Sequence, residues 1–285
     1  MPHLVTPITI TFGRAPTRLT FARVASVRES TTSELWDRAS AAWKSGEPPL
    51  WRLHSDAVNE RLIRRWLPPG VGSVLKTDLF DELVSPGLYP ALRERAGEVV
   101  GVDISPEIVA AARLRHPQLE AAVANLTDLP FDAARFDAFF SNSTLDHLTS
   151  EEEVSAGLAE LARVLRPGGA LIVTLDNPMN PVVAVRNALP RGIARRIRHV
   201  SYDSGWTCGP RRLRRMLDRT GFLTTRTTAI MHAPRFVVAE LDRHGRRIRD
   251  GKARLPRLLA AERLERWPTR YLTGHFVAAL AYRVA

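Results

Sequence analysis

The sequence predicts an α/β fold built around a mostly parallel sheet, and three observations point to it. From Gly72 onward, short apolar runs alternate with stretches of helical period, the pattern of βαβ units. The chain has 285 residues, 45% of them hydrophobic, which suffices to bury the core of one such domain with additions. Its single cysteine, Cys208, excludes an internal disulfide and argues against a cysteine-built metal site.

Residues 1–70 read as an N-terminal extension, with a Thr-rich hairpin followed by a helix over LHSDAVNERLIRRWL. In that helix Leu53, Val58, Leu62 and Trp66 are spaced to pack onto the sheet. GSVLKT is the first strand and EVVGVDI, Glu98 to Ile104, the second. Ser105 as N-cap and Pro106 at the first helical position start a helix, which His116-Pro117 ends. LEAAVA, Leu119 to Ala124, and FDAFFSN, Phe136 to Asn142, are the third and fourth strands. Ser150 and Glu153 form a capping box for EEEVSAGLAELARVL, whose Val154, Leu158, Leu161 and Leu165 share one face. Pro167-Gly168-Gly169 turns the chain into ALIVTL, the fifth strand. Pro210 to Thr220 follows as a helix, FLTTRTTAI as the sixth strand and HFVAALAYRV as the seventh. Within the domain of residues 71–285, insertions at 177–205 and 231–273 are placed to cap it, the second with a helix around Leu255 to Arg266.

Charge is uneven. Up to Val185 there are 18 basic against 23 acidic residues, and beyond it 23 against 7. Only Lys44, Lys76 and Lys252 are lysines, so the excess is arginine. Two readings stand, a solvated basic face or an anionic partner such as a phosphorylated substrate, lipid head group or nucleic acid. No apolar run approaches the roughly 18 residues of a membrane span, and the start, MPHLVTPITITFGR, lacks a secretory pattern. A cytoplasmic protein is the expectation.

The strand order, with VVGVDIS, TDLPFDAARFDAFFSNSTLDHL and LARVLRPGGALIVTLDNP, resembles the class I S-adenosylmethionine-dependent methyltransferases of the Methyltransferase domain 11 type. The resemblance covers roughly Gly72 to Pro178 and implies a Rossmann-like, seven-stranded, mostly parallel sheet with helices on both faces. It implies S-adenosylmethionine as cofactor, with Asp103 and Ile104 at the ribose and Asn125 and Leu126 at the adenine. Asp103 at a strand end is also placed as a helix cap, and Asn125 is also a common turn residue. Ser141 and Asn142 end the fourth strand, where cofactor and acceptor should meet.

One stretch departs from the family. Its first strand usually runs into acid-x-Gly-x-Gly-x-Gly, where absent side chains let backbone N–H groups approach the methionine end. Here VLKTDLFDE puts Lys76 at the acidic position and Asp78, Phe80 and Glu82 at the glycines, and Ser85-Pro86-Gly87 interrupts the following helix. Three arrangements are open. Asp78, Asp81 or Glu82 accepts the cofactor ammonium beside Thr77 while Lys76 meets its carboxylate; Lys76 instead pairs with Asp78 or Glu82 and fills the pocket; or the acids cap the rebuilt helix.

Methyl transfer needs alignment, desolvation and a base only when the nucleophile must lose a proton. The Asp146-His147 pair is nearest to the expected site, with Asp176, His199, Asp203 and His232 as further bases. Trp206, Tyr202, Phe236, Trp267 and Tyr271 are candidates for an apolar pocket. DNPMNP is similar to the Asn/Asp-Pro-Pro-aromatic motif of base-amino methyltransferases, but it follows the fifth strand and lacks the aromatic residue. The expected acceptor is a small biosynthetic molecule, anionic ones included, with RNA and a non-methylating, methyltransferase-like protein as alternatives. RNALPRGIARRIRHV on an anionic membrane surface is a further one.

Overall fold

In this computed structural model, described over residues 33–34, 37, 48–189, 205–234, 237–238, 241 and 251–284, seven strands form one sheet. They are β1 (Val71–Thr77), β2 (Ala96–Asp103), β3 (Glu120–Val123), β4 (Phe136–Asn142), β5 (Leu165–Asp176), β6 (Phe222–Ile230) and β7 (Phe276–Arg283), in the order β3-β2-β1-β4-β5-β7-β6. Neighbours from β3 to β5 pair in parallel, whereas β7 lies antiparallel between β5 and β6. Order reverses between β1 and β4, so the connections that leave their carboxyl ends run to opposite faces of the sheet and leave a crevice. The expected N-terminal hairpin, His199, Tyr202, Asp203, Phe236 and most of RNALPRGIARRIRHV lie outside the described residues.

The helices are α1 (Leu50–Trp66), α2 (Phe80–Val84), α3 (Tyr89–Arg93), α4 (Pro106–Arg115), α5 (Glu151–Val164), α6 (Pro181–Ala188), α7 (Pro210–Arg219), α8 (Gly251–Ala260) and α9 (Arg270–Thr273). Strand residues alternate between two cores. Val74, Phe140, Ile172 and Leu280 pack with Val58, Leu62, Ile63 and Trp66 of α1, while Leu75, Phe139, Leu171 and Ala279 pack with α5 and α7. Both faces are therefore covered, which is why the central strands read as near-continuous apolar runs. No helix among the described residues is long and apolar enough to cross a membrane.

Two boundaries differ instructively from the sequence reading. Helix α1 begins at Leu50, and Leu53 is only half-buried. Strand β5 begins at Leu165, which pairs with Phe136 across an irregularity in the register, so Gly168 at φ +77° bends a strand rather than opening one. The caps follow the side-chain chemistry: Ser105 accepts from the Ile108 N–H and Ser150 from that of Glu153. The Glu153 carboxylate reaches the N–H of Thr149, one residue upstream of a regular capping box. Replacing Ser105 with alanine orphans the Ile108 N–H and should cost about 1 kcal/mol in a urea titration.

The described residues of the 231–273 segment include several that pack on α1. Leu50, Ala233, Val238 and Leu258 form a separate small core there, and Arg65 pairs with Glu265 at 2.8 Å. DNPMNP turns out to be a staple. Asn177 Nδ2 donates to the carbonyls of Tyr271 (2.7 Å) and Gly274 (2.9 Å), and Asn180 Nδ2 to that of Thr273 (2.9 Å). Asn180 Oδ1 also caps α6 by accepting from the Val182 N–H.

Candidate active site

The chain leaves β1 through Asp78, whose φ of +65° is the left-handed conformation that a glycine would adopt freely. Aspartate tolerates it better than most residues because its short side chain bonds locally, and Asp78 Oδ1 accepts from the Phe80 N–H at 2.9 Å. The backbone of a glycine loop is thus kept while a carboxylate is added. Helix α2 then breaks at Ser85 to Gly87 before α3, as the interrupted helix predicts.

Below this loop lies a buried network of opposed charges. Lys76 is wholly buried, with Nζ 2.9 Å from Glu82 Oε2 and 3.7 Å from Asp81 Oδ2, and it also donates to the Asp78 carbonyl. Glu82 Oε1 accepts from the N–H groups of Leu88 (2.9 Å) and Tyr89 (3.0 Å), capping α3. Asp81 pairs with Arg52 at 2.6 Å and accepts from Asn142 Nδ2 at 3.0 Å. Arg52 also pairs with Asp56 at 2.7 Å, and Asp56 accepts from Ser85 Oγ. Burial works to lower the Lys76 pKa, but Glu82, Asp81 and Asp78 more than offset it, so the ammonium stays charged. Lys76 therefore cannot meet a cofactor carboxylate: its nitrogen is consumed inside the protein.

Two cavities open along the crevice. The first is lined by Thr77, Asp78, Val102, Asp103, Ile104, Asn125 and Leu126, with Thr144, His147 and Leu148 opposite. The second has apolar lining residues in Trp51, Phe80, Met231, Ala233, Val238 and Phe276. Its polar ones include Arg52, His54, Asp78, Asp81, Asn142, Ser143, His147 and His275. Asp78 and His147 border both. Asp78, Ser143 (φ +54°) and Met231 (φ +59°) carry left-handed backbones around the second cavity, the kind of outlier that clusters at functional sites.

Asp103 accepts one N–H on each oxygen, from Leu79 and Ser105, both at 2.9 Å. Each oxygen keeps a second lone pair, enough for a ribose hydroxyl. Asn125 Oδ1 closes a turn by accepting from the Thr127 N–H at 3.1 Å while the residue lines the first cavity, so both of its expected roles are compatible. Ser141 is a correction: its hydroxyl is buried, bonded by Thr77 Oγ1 at 3.2 Å, and lines neither cavity.

Among the expected bases, Asp146 and Asp176 also turn inward. Asp146 accepts from Ser143 Oγ (2.8 Å) and the Asp176 N–H (3.1 Å), and neither acid lines a cavity. Burial, reinforced by Asp176, pushes the Asp146 pKa up to about 7. Asp176 resists the same burial because His275 and Arg186 hold it ionised, well below the usual carboxylate range. His147 does line both cavities, but burial pulls its pKa down to about 4, making it neutral and a weak proton acceptor. His232 is tied to Thr273 Oγ1 (2.8 Å) and the Ala229 carbonyl (3.0 Å). His275, unsuspected from sequence, lines the acceptor side with Nε2 3.3 Å from Asp176 Oδ1. A histidine heading an apolar strand gave no signal by itself.

Of the aromatic residues expected in the pocket, Tyr202 and Phe236 lie outside the described residues and the other three do not line either cavity. Trp206 packs in the core under Arg212, Trp267 is 60% exposed, and the Tyr271 hydroxyl meets Thr227; Trp51, Phe80 and Phe276 take their place. Cys208 is buried, its pKa pushed up to about 12 by burial, and behaves as an inert apolar residue. No cluster of metal ligands occurs among the described residues.

Burial also lifts Asp56 and Asp103 to about 6, with Asp146 at about 7. Between the ordinary value of about 3.9 and these values the folded chain holds protons that the unfolded chain has released. Their stabilising contribution is complete below about pH 4 and is lost as pH rises through 6 to 7. The urea midpoint of the free protein should fall over that window, and Asp146→Asn, which keeps both acceptor bonds, should flatten its upper part.

Residues 86–173 match the family model of the Methyltransferase domain. An S-adenosylmethionine-dependent methyltransferase assignment belongs to a Mycolicibacterium smegmatis protein 27% identical over 150 residues, 47% of this chain and 52% of that one. A demethylmenaquinone methyltransferase of Beutenbergia cavernae is 33% identical over 140 residues, 48% of this chain and 52% of its own. The chain thus spans about half the length of these relatives. Among solved structures, a possible histamine N-methyltransferase from Thermotoga maritima superimposes with a TM-score of 0.59 at 15% identity, covering 88% of this chain and 98% of that one. Geranyl diphosphate C-methyltransferase from Streptomyces coelicolor, in complex with Mg2+, geranyl diphosphate and S-adenosyl-L-homocysteine, gives 0.58 at 14%, covering 91% and 99%. Sheet order and these likenesses define the class, a class I methyltransferase fold. Within it, residues 86–173 are similar to the Methyltransferase domain, and the relatives that match include one described as S-adenosylmethionine-dependent.

Proposed function

We propose that this chain transfers a methyl group from S-adenosylmethionine to a small acceptor with an apolar body. The observation that carries this reading is the pair of cavities meeting at Asp78 and His147, one bordered by Asp103, Ile104, Asn125 and Leu126 and the other with apolar residues in its lining. Asp103 would take the ribose, Asn125 and Leu126 would flank the adenine, and Asp78 would receive the cationic end of the cofactor. The cofactor supplies an electrophilic methyl on sulfur. This chain's residues supply alignment and exclude water, with α1 and residues 231–273 as the cap.

An apolar acceptor suits the second cavity better than an anion. Among the described lining residues the guanidinium of Arg52 is already matched by Asp56 and Asp81. The demethylmenaquinone methyltransferases among the relatives support an acceptor of this lipid-like kind. Titration calorimetry with S-adenosylmethionine tests the cofactor half. Binding should weaken tenfold or more, about 1.4 kcal/mol, in Asp103→Ala, and no heat from the folded wild type would defeat the proposal.

A further inference from the structure

We infer that His275, positioned by Asp176 and Arg186, is the general base of the acceptor cavity, and that the acceptor therefore presents a hydroxyl on its apolar body. This rests on the methyl-transfer reading above. The geometry is specific. His275 immediately precedes β7, beside Asp176 at the end of β5, where the antiparallel ladder pairs Asp176 with Phe276. Its backbone is held on both sides, with its N–H donating to the Met231 carbonyl (3.1 Å) and its carbonyl accepting from the Asn177 N–H (2.9 Å). The ring is steadied against Phe276, centroids 4.9 Å apart.

Nε2 faces Asp176 Oδ1 at 3.3 Å, and Asp176 Oδ2 is taken by Arg186 Nη2. A carboxylate so placed favours the proton on Nε2, and Nδ1 would then be the nitrogen that accepts one. Nε2 is buried and makes no completed hydrogen bond in the free protein, and such base contacts often tighten only when a substrate binds. The other cavity histidines are placed differently. His54 stands 3.6 Å from Glu262, whose oxygens already accept from the Met231 and His232 N–H groups. His147 borders both cavities but is held neutral by burial.

In the reaction, the acceptor oxygen passes its proton to His275 Nδ1 and forms the new bond to the methyl carbon. The carbon–sulfur bond breaks, its electron pair stays on sulfur, and the imidazolium later returns its proton to solvent. Asp176 remains ionised and balances the imidazolium. Around His275 the described charged and titratable groups are Asp176 with Arg186 and Asp146 behind it, His147, Asp78 on the loop after β1, Asp81 on α2, and Arg52 and His54 on α1.

The test uses para-nitrophenol, an apolar-bodied hydroxyl whose visible absorbance reports its ionisation, added to the full chain saturated with S-adenosylhomocysteine. In the wild type the bound phenol should ionise about one pH unit below the free one, a tenfold shift. His275→Gln should abolish the shift with calorimetric binding of S-adenosylhomocysteine and the urea midpoint unchanged, and Asp176→Asn should reduce it. The inference is overturned if the loaded wild type leaves the phenol unshifted or unbound, if the shift survives His275→Gln, or if it disappears only in His147→Gln. Failure of S-adenosylhomocysteine to bind would instead defeat the methyl-transfer reading, and this inference with it.

Discussion

Replacing Lys76 with methionine should destabilise the protein by about 3–5 kcal/mol, the usual cost of stripping one partner from a buried ion pair. The side chain is wholly buried, so its loss leaves Glu82 with no cation and the Asp78 carbonyl without its donor. Asp81 also loses a neighbour at 3.7 Å, but it keeps Arg52 and Asn142. The damage should therefore centre on Glu82. Adding Glu82→Gln removes the stranded charge while keeping an oxygen for the N–H groups of Leu88 and Tyr89, so the double variant should recover a large part of the loss. Urea titrations of the wild type, both single variants and the double one complete the cycle, and the coupling should exceed about 0.5 kcal/mol, as for residues in one ionic network. If Lys76→Met is as stable as the wild type, the ammonium is not held where the structure has it.

The same residues show where sequence reading stops. Strands β4 and β6 were legible to the residue, because turn residues bound runs rich in β-formers. The cap at Ser105 was legible for an equally local reason. Asp103 followed from its place at a strand end, and Ile104, Asn125 and Leu126 from the family resemblance; all four line the first cavity. Arg52 was not legible: nothing in α1 marks one arginine of several as the partner of Asp81, a pairing set only when the helix docks on the sheet. His275 escaped for a similar reason, because its partner Asp176 is brought alongside by an antiparallel pairing of strands about a hundred residues apart. Asp146 and Asp176 were read as bases from proximity in sequence, which gives no information on which side of the backbone a carboxylate falls.

Asp78→Gly should weaken S-adenosylmethionine binding by about ten- to a hundredfold, the worth of a charge-assisted hydrogen bond of roughly 1.5–3 kcal/mol. Of the acids in the loop, Glu82 is spent on Lys76 and Asp81 on Arg52, which leaves Asp78, on both cavities, as the carboxylate for a cation. Glycine suits φ +65° at least as well as aspartate, so the substitution isolates the carboxylate from the backbone, which alanine would strain. The pH dependence has a definite sign. Burial, with Asp81 and Asp103 nearby, holds the Asp78 pKa well above the ordinary range in the free protein. A cation bound there favours the ionised form, so binding must release a proton, and affinity should rise with pH until Asp78 is ionised unaided. Calorimetry in two buffers of different ionisation heat detects that proton directly, and the buffer dependence should shrink in Asp78→Gly. A glycine variant that binds as tightly as the wild type would mean that Asp78 serves only the left-handed turn, and that backbone N–H groups hold the methionine end as they do in a glycine loop.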